Sequence, residues 1–256
     1  LSIMRWNGRI WEGVYKKFAE APNDSGYFEK EKWLKQEEDK CNKKIKTLKQ
    51  RVVSSSGGIS ELAESKEYCL SIVISMMDSS KQISVLDFGG GLASIYFETI
   101  EKIVGKNIKF FIVENGSICK KGSELFKDDK KIEFLTVLPE QNKNTAIDIV
   151  HAGSSMHYVD DWIDLLDKFV EYRPKYLVFS DLPAGDIDTF VTTQNQYDDK
   201  VPVRFWNLSE FVNAVEYRGF KLIYKTRFIN GYIKYMKYFD KKYRLEHFSQ
   251  LIFKLN

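Results

Sequence analysis

From about residue 61 onward, short continuous runs of apolar residues alternate with segments in which apolar residues recur at helical spacing. The apolar runs predict seven strands, at 81–88, 107–115, 131–138, 145–153, 174–181, 221–228 and 249–255. The other segments predict helices at 61–77, 92–104, 116–128, 160–173 and 208–220. Continuous apolar strands joined by helices are typical of a parallel sheet that is covered on both faces. We therefore predict an α/β fold with a seven-stranded, mostly parallel sheet.

The N-terminal part of the chain follows a different pattern. Residues 1–28 are rich in aromatic side chains and turn formers, which predicts a short helix and an arm that packs on the rest of the chain. Residues 29–51 carry dense mixed charge and predict a largely solvated helix. SSSGGIS at 54–60 predicts a flexible linker, because it lacks the Lys-Ser/Thr ending of a phosphate-binding loop. We therefore predict a helical cap or lid at 1–60 and a ligand-binding domain at 61–256.

Composition narrows the functional classes. Lys and Arg number 39 against 36 Asp and Glu, and this balanced charge without an arginine-rich stripe argues against a nucleic acid partner. The three cysteines are scattered and form no C-x-x-C pair, so we expect reduced thiols and no metal site. No apolar run approaches the ~18 residues of a membrane span, and the first residues lack an apolar signal-peptide core. We therefore expect a cytoplasmic protein without membrane insertion, of unknown oligomeric state.

Three glycines follow a predicted strand directly in VLDFGGGLASIY at 85–96. Backbone without side chains can approach a ligand closely, and the helix that follows offers unpaired N–H groups at its start. Asp87 ends this strand, and Glu114 follows the next strand, 23 residues beyond Gly91. A carboxylate at that place can accept two hydrogen bonds from a ribose diol. These parts predict a site for a cofactor that contains adenosine.

Two cofactor classes use a glycine turn of this kind. The turn matches the dinucleotide fingerprint G-x-G-x-x-G except that Ser94 takes the place of the third glycine. Because the first two glycines match, an NAD(P)-dependent oxidoreductase is an alternative. The frame Asp87, Gly89, Gly91, Ala93 instead resembles the acid-x-G-x-G-x-small pattern of class I S-adenosylmethionine (AdoMet) methyltransferases. A carboxylate repels a diphosphate and attracts the α-ammonium group of a methionine moiety. The residues expected to contact the cofactor are Asp87, Gly89, Gly90, Gly91, Glu114, Ala152 and Ser154.

Further segments resemble, in order, a family of methyltransferases encoded in bacterial O-antigen and capsule gene clusters. They are WEGVY at 11–15, LDFGGGLAS at 86–94, IVEN at 112–115, IDIVHAGSSMHYVDDW at 147–162, FSDLPAGDIDTFVTTQNQ at 179–196 and VPVRFWNLSEFVNAVEYRGF at 201–220. Ala93-Ser94 departs from the glycine common at the end of the turn, and Leu182 replaces a residue that is more often basic. The resemblance implies a Rossmann-like methyltransferase domain, AdoMet as donor and a biosynthetic role, but no particular acceptor.

The ends of the fourth and fifth predicted strands supply candidates for the chemistry. His157 has an ordinary pKa that suits a general base, and its alternative is a packed histidine that orients the loop. Asp181 could bind the acceptor or cap a turn. Arg204 could hold an anionic group such as a phosphate, or form an ion pair at the edge of the core. The residues expected at the acceptor are Tyr158, Asp181, Gln194 and Arg204.

The predicted function is transfer of a methyl group from AdoMet to a small acceptor, which leaves S-adenosylhomocysteine. From the resemblance, this acceptor is an oxygen of a sugar or of a phosphorylated precursor of bacterial surface polysaccharide. Trp11, Tyr15 and Tyr27 could fold over the cofactor as a lid, or pack on the outside of the sheet. Besides the oxidoreductase, a non-catalytic AdoMet-binding protein is a second alternative. Such a protein would depend on the residues that contact the cofactor and would tolerate loss of those expected at the acceptor.

Overall fold

A computed structural model describes residues 10–24, 26–54, 68–141, 146–196, 199–228 and 231–256. Its strands are β1 (Trp11–Tyr15), β2 (Ile83–Phe88), β3 (Ile108–Val113), β4 (Ile132–Leu135), β5 (Ile149–Gly153), β6 (Tyr176–Leu182), β7 (Ala184–Gly185), β8 (Phe190–Gln196), β9 (Asp199–Asn207), β10 (Phe220–Phe228) and β11 (Phe248–Leu255). Its α-helices are α1 (Glu31–Ser54), α2 (Cys69–Met76), α3 (Ser94–Lys102), α4 (Gly116–Leu125), α5 (Trp162–Glu171) and α6 (Leu208–Glu216). Short 3₁₀ helices lie at Phe18–Glu20, Tyr27–Glu29, Met156–Tyr158, Ile233–Tyr238 and Lys241–Tyr243.

The larger sheet has seven strands in the order β10-β11-β6-β5-β2-β3-β4. Strands β2 to β6 pair in parallel, whereas β11 runs antiparallel to both of its neighbours. The predicted seven-stranded, mostly parallel, Rossmann-like sheet is therefore confirmed. The chain proceeds from β2 through β3 to the edge at β4 and then returns to β5 on the other side of β2. In α/β sheets, ligands bind beyond the carboxyl ends of the strands at such a reversal.

The two faces of this sheet are built by alternating residues, as the period of a strand requires. Val85 of β2 and Phe110 of β3 belong to one buried cluster, which α2 and α3 cover. Their neighbours Leu86 and Phe111 belong to a second cluster, which α5 and α6 cover on the opposite face. Because both faces are buried, the central strands are apolar throughout, which explains why the sequence pattern predicts them well.

A second sheet, which the sequence pattern does not predict, has the order β1-β8-β9-β7. In β1, which takes the place of part of the expected arm, Trp11 lies opposite Gln194 of β8. Trp11 also packs edge-on against Phe205 of β9, with ring centroids 5.2 Å apart. Where a short helix is expected within residues 1–28, the described part of that segment, from residue 10 onward without residue 25, contains two 3₁₀ turns, at Phe18–Glu20 and Tyr27–Glu29. The sheet was missed because β8 buries Thr-Thr-Gln, a polar run that reads as a loop, and because its partner strand is some 180 residues away.

Helix α1 packs on the larger sheet's helices and is less solvated than its charge predicts. Its apolar residues Trp33, Leu34, Cys41 and Ile45 join the cluster on the α3 side of the sheet. Lys44 adds an ion pair to Glu98 of α3, with 3.0 Å between Nζ and Oε1. Ser54 ends α1, and the rest of the predicted linker lies outside the described residues, so the domain boundary near residue 60 stays a prediction. None of the helices described combines the length and apolar character needed to cross a membrane.

The aromatic contacts of Phe211 make it a test of this core. Its side chain is fully buried and its ring lies 5.0 to 5.4 Å from those of Phe179, Trp162 and Trp206. Because truncation would leave a cavity there, we expect Phe211→Ala to lower the free energy of unfolding by about 3–5 kcal/mol in urea denaturation. Tyr217→Ala is the control, since Tyr217 is 91% exposed just after the same helix. Equal losses in the two variants would contradict the assigned core.

Candidate active site

A cavity of about 880 Å³ opens at the carboxyl ends of β2, β3, β5 and β6, within the ~300–1,000 Å³ typical of small-molecule sites. Its walls come from the glycine turn, the strand ends and the N-terminal segment around residues 27–40. The predicted site residues that line it are Asp87, Gly89, Gly90, Gly91, Glu114, Ser154, Tyr158 and Asp181. Those that do not line it are Ala152, His157, Gln194 and Arg204.

The glycine turn is shaped by the carboxylate of Asp87, which is only 1% exposed. A Cβ atom on Gly90 would lie 2.3 Å from Oδ2 of Asp87, so the carboxylate occupies the space that any side chain would need. Oδ1 of Asp87 lies 2.7 Å from Nδ1 of His151 on β5. Among the described residues, Oδ2 has no hydrogen-bond partner. A buried oxygen of this kind at the edge of a cavity is suited to an ammonium donor from a ligand.

Glu114, directly after β3, turns its carboxylate toward the glycine turn. The backbone N–H of Gly91 donates to Oε1 over 3.1 Å, and that of Asn115 donates to Oε2 over 3.0 Å. Oε1 has a second lone pair that can accept a ribose hydroxyl. Oε2 also accepts from Nδ2 of Asn115 over 3.4 Å, a long hydrogen bond that a second ribose hydroxyl would replace. Burial raises the pKa of Glu114, while the two N–H donors oppose this rise. Hydroxyl donors from a ligand would further favour the charged carboxylate.

The ends of β5 and β6 form the opposite side of the cavity. Ser154 and Asp181 both adopt left-handed backbone conformations, with φ of 55° and 50°. The Ser154 hydroxyl donates to Oδ2 of Asp181, and the Ser154 N–H donates to the carbonyl of Ser180 over 3.0 Å. Non-glycine residues in this region cost roughly 1–3 kcal/mol each and concentrate at functional sites. The strand ends thus hold the Asp181 carboxylate at the cavity.

Aromatic side chains line the cavity between the ends of β5 and β6 and the N-terminal segment, and we call four of them the aromatic wall: Tyr27, Phe28, Tyr158 and Tyr232. The Phe28 ring lies edge-on to Tyr27 at 5.1 Å and to Tyr158 at 4.9 Å between centroids. Burial raises the pKa of Tyr158 above its usual value, and the nearby Asp181 charge adds to the rise. Tyr158 is therefore a neutral phenol, which can donate a hydrogen bond but cannot act as a base.

Two glutamines of β8 accept hydrogen bonds from tyrosines of the aromatic wall. The Tyr158 hydroxyl donates to Oε1 of Gln194 over 2.7 Å, and the Tyr27 hydroxyl donates to Oε1 of Gln196 over 3.1 Å. Gln194, predicted to bind the acceptor, is 2% exposed and reaches the site only through Tyr158. The second sheet therefore positions the wall.

Helix α1 supplies a wall that the sequence reasoning missed. Trp33, Gln36, Glu37 and Lys40 line the cavity from one face of the helix. Oε2 of Glu37 would lie 3.0 Å from a Cβ atom on Gly91, which places α1 directly over the glycine turn. These four α1 residues are spaced three and four apart, which places them on one face of the helix. Because a charged helix face is usually solvated, this spacing alone does not predict a ligand site.

His157 is buried behind the cavity. It lies in the 3₁₀ helix next to β9, is 6% exposed, and has its ring 4.2 Å from that of Tyr158. Burial lowers the pKa of His157 from 6.5 to about 3, so the imidazole is neutral at physiological pH. Because it has no place in the cavity lining, the general-base hypothesis has no geometric support and stays a prediction.

Arg204 and Ala152 also lie away from the cavity. Arg204 donates to the Asp160 carbonyl over 2.9 Å and to its Oδ1 over 3.3 Å, and its guanidinium lies 5.0 Å from the centre of the Phe18 ring. Arg204 therefore forms an ion pair, which is the alternative to phosphate binding. Ala152 is 2% exposed and packs inside the sheet, because the side chains of β5 alternate between its faces.

No family model and no curated protein match the sequence, whereas solved structures match its fold. A Listeria monocytogenes protein proposed to be an AdoMet-dependent methyltransferase aligns with a TM-score of 0.53 and 12% identity, over 75% of this chain and 98% of that one. The 1,6-didemethyltoxoflavin-N1-methyltransferase of Burkholderia thailandensis, solved with S-adenosylhomocysteine, aligns with a TM-score of 0.51 and 15% identity, over 84% and 90%. The chain has the fold of class I AdoMet-dependent methyltransferases. The finer resemblance to the O-antigen and capsule family stays a prediction.

The same fold also occurs in an enzyme with a different activity. The [4+2]-cyclase SpnF aligns with a TM-score of 0.50 and 11% identity, over 73% of this chain and 80% of that one. Fold similarity at this level of identity does not determine the reaction. The function must therefore be argued from the residues of the cavity.

The close approach of Gly90 to Asp87 gives a direct test of the turn. We expect Gly90→Ala to lower the free energy of unfolding by about 1–3 kcal/mol, because the added methyl group overlaps a buried carboxylate. Gly116→Ala is the control, since nothing lies within 4 Å of a Cβ atom there. Urea denaturation of both variants provides the measurement. A fully stable Gly90→Ala protein would show that Asp87 is free to move away.

The burial of His157 predicts how stability depends on pH. Between about pH 6.5 and pH 3 the unfolded chain binds a proton at His157 that the folded protein does not bind, so stability falls as the pH falls. We expect His157→Gln to lose this part of the acid dependence, measured as the unfolding free energy across that window. His247→Gln removes a histidine elsewhere and is the matched control. An unchanged pH dependence in His157→Gln would mean that His157 is hydrated.

Proposed function

We propose that the protein transfers a methyl group from AdoMet to a small-molecule acceptor bound in the cavity. The observation that carries this proposal is the Glu114 carboxylate, held beside the Gly91 N–H at the reversal of strand order. A ribose diol fits a paired acceptor of this kind. The nearby Asp87 oxygen without a partner suits the ammonium group of a methionine moiety, which a dinucleotide lacks.

The order of the strands suggests how donor and acceptor share the cavity. Glu114 follows β3, and Thr136 lies just beyond β4, so adenosine would bind on that side. Ser154 follows β5 and Asp181 lies near the end of β6, on the other side of β2, where the acceptor would bind. The methyl group would then lie above the glycine turn between them. Transfer from a sulfonium is an in-line displacement, so the main task of the site is to align the two molecules and to exclude water.

Two alternative functions remain distinct hypotheses. An NAD(P)-dependent oxidoreductase would place a diphosphate over the glycine turn, where Asp87, Glu114 and Glu37 would repel it. A non-catalytic AdoMet-binding protein would need the Glu114 side of the cavity and no acceptor. The ordered Ser154–Asp181 contact and the aromatic wall favour a second bound molecule, and hence an enzyme.

The resemblance to the O-antigen and capsule family supports a finer proposal, namely that the acceptor is a sugar or a phosphorylated precursor of surface polysaccharide. It also supports a bacterial, cytoplasmic setting. These proposals rest on the sequence motifs and not on the cavity. Arg204, the residue predicted to hold an acceptor phosphate, forms an ion pair with Asp160 instead.

Glu114 offers the sharpest test of the cofactor. We expect S-adenosylhomocysteine to bind the wild-type protein and Glu114→Gln to weaken this binding roughly 10- to 100-fold, as the loss of charge-assisted hydrogen bonds predicts. Without ligand, Glu114→Gln should melt only slightly below the wild-type temperature, because the loss of one accepted backbone hydrogen bond is partly offset by removal of a buried charge. Isothermal titration calorimetry and thermal melting measure the two effects.

Glu133→Gln is the matched control, because Glu133 lies on β4, pairs with Lys109 over 2.9 Å and does not line the cavity. NAD and NADP are titrated in parallel. Tight NAD binding without a response to S-adenosylhomocysteine would replace the methyltransferase proposal with the oxidoreductase. Wild-type affinity together with early melting in Glu114→Gln would make Glu114 a structural acid.

A further inference from the structure

We propose that the methyl acceptor is a small amine whose nitrogen takes the methyl group while it is held between the aromatic wall and the carboxylate of Asp181. This inference rests on the proposed function and names the substrate class of the same cavity. An amino sugar meets this description, so the sugar of the finer proposal is kept, but a nitrogen replaces the expected oxygen and a phosphorylated acceptor is excluded. Three features of the described residues support it: the charge of the lining, the aromatic wall and the lack of a strong base.

Carboxylates dominate the charge of the cavity. Its acidic lining residues are Glu37, Asp87, Glu98, Glu114 and Asp181. Among the described lining residues, Lys40 is the only lysine or arginine, and its Nζ lies 2.6 Å from Oε1 of Glu37 on the glycine-turn side. An anionic acceptor would therefore meet repulsion at the Asp181 end, where the described lining holds neither a lysine nor an arginine. A cation would be attracted there.

The aromatic wall suits a positively charged nitrogen. Ammonium groups are attracted to the faces of tyrosine and phenylalanine rings, and this attraction grows when water is excluded. Tyr158 and Asp181 both line this cavity, and Ser154, which donates to Asp181, lies four residues before Tyr158 in the same loop. The ring and the carboxylate therefore border one space. Tyr27 and Phe28 extend this surface along the cavity. A ring face beside a carboxylate is a combination that recognises amines.

The cavity offers little help to a hydroxyl nucleophile. An alcohol must lose a proton as it attacks, and a positioned base supplies typically ~10²–10⁴-fold in rate. His157 lies outside the lining, Tyr158 is a neutral phenol that donates to Gln194, and a carboxylate such as Asp181 is a weak base for an alcohol. An ammonium must also lose a proton before its nitrogen can attack. Its pKa, ordinarily about 10.4 for a lysine-type amine, is far below that of an alcohol, so a carboxylate or water can accept this proton.

The bound ammonium first passes one proton to Asp181 or to solvent, which leaves a neutral amine with a lone pair on nitrogen. This lone pair forms the new C–N bond while the S–CH₃ bond breaks and its electron pair stays on sulfur, which becomes the neutral thioether of S-adenosylhomocysteine. The positive charge moves from sulfur to nitrogen, which gives an N-methylammonium product. During the transfer itself one positive charge therefore stays in the cavity, where the charged carboxylates of the lining stabilise it.

The test uses three probes of one shape and different charge: benzylamine, benzyl alcohol and benzyl phosphate. Each is titrated by calorimetry into the full chain loaded with S-adenosylhomocysteine. We expect benzylamine to bind roughly 10- to 100-fold more tightly than benzyl alcohol, as hydrogen bonds to a charged group predict, and benzyl phosphate to bind most weakly. Asp181→Asn, which keeps the size of the side chain, should remove most of the difference between amine and alcohol.

Asp160→Asn is the matched control, because Asp160 pairs with Arg204 and does not line the cavity. It should keep the wild-type preference. Equal or tighter binding of the alcohol or the phosphate, an unchanged preference in Asp181→Asn, or no binding of any probe would each overturn the amine assignment. Failure of S-adenosylhomocysteine to bind in the loading step would instead refute the proposed function, so the two outcomes are distinguishable.

Discussion

The carboxylate of Asp87 lies in the space that a side chain on Gly90 would need, and the active-site end of the sheet depends on this contact. The same carboxylate contacts His151, which ties β2 to β5 at the point where the strand order reverses. Because the turn can pass directly over the acid, the Gly91 N–H reaches Glu114 on the other side of β2. One buried acid thus sets the distance between the two halves of the cavity.

The rest of the cavity is completed by parts of the chain that are distant in sequence. Helix α1 lies over the glycine turn through Glu37, and the Asn115 side chain donates to the Phe28 carbonyl over 3.1 Å. On the opposite side, Gln194 and Gln196 of β8 support two tyrosines of the aromatic wall. The site therefore forms only when the N-terminal segment and the second sheet have both packed onto the larger sheet.

The parts of the site that were predicted from the sequence are those that follow from a local pattern. An acid, a glycine turn and a second acid after the next strand can be read from two short segments, and the structure brings Asp87, Gly90 and Glu114 together. The second sheet was not predicted, because β8 pairs with the nearby β9 through a polar run, and because Thr192 and Thr193 are buried by β1 and residues near it from the other end of the chain. Polar residues buried by such distant partners look like loop residues in a local window.

The acceptor side shows a second limit of sequence reasoning, which is the direction of a side chain. His157 and Tyr158 are neighbours in one 3₁₀ helix, yet Tyr158 lines the cavity and His157 is buried behind it. Position near a strand end brings a residue close to the site but does not determine which way it faces. Arg204 illustrates the same limit, because on β9 it turns toward Asp160.

The position of the second sheet in the chain has a consequence for how this protein can diverge. Strands β7, β8 and β9 form one insertion between β6 and α6, and they support the aromatic wall without contributing to the glycine turn or to Glu114. Substitutions within this insertion would reshape the side of the cavity that we propose for the acceptor and leave the glycine turn and Glu114 unchanged. Selection could therefore act on the two halves of the cavity separately.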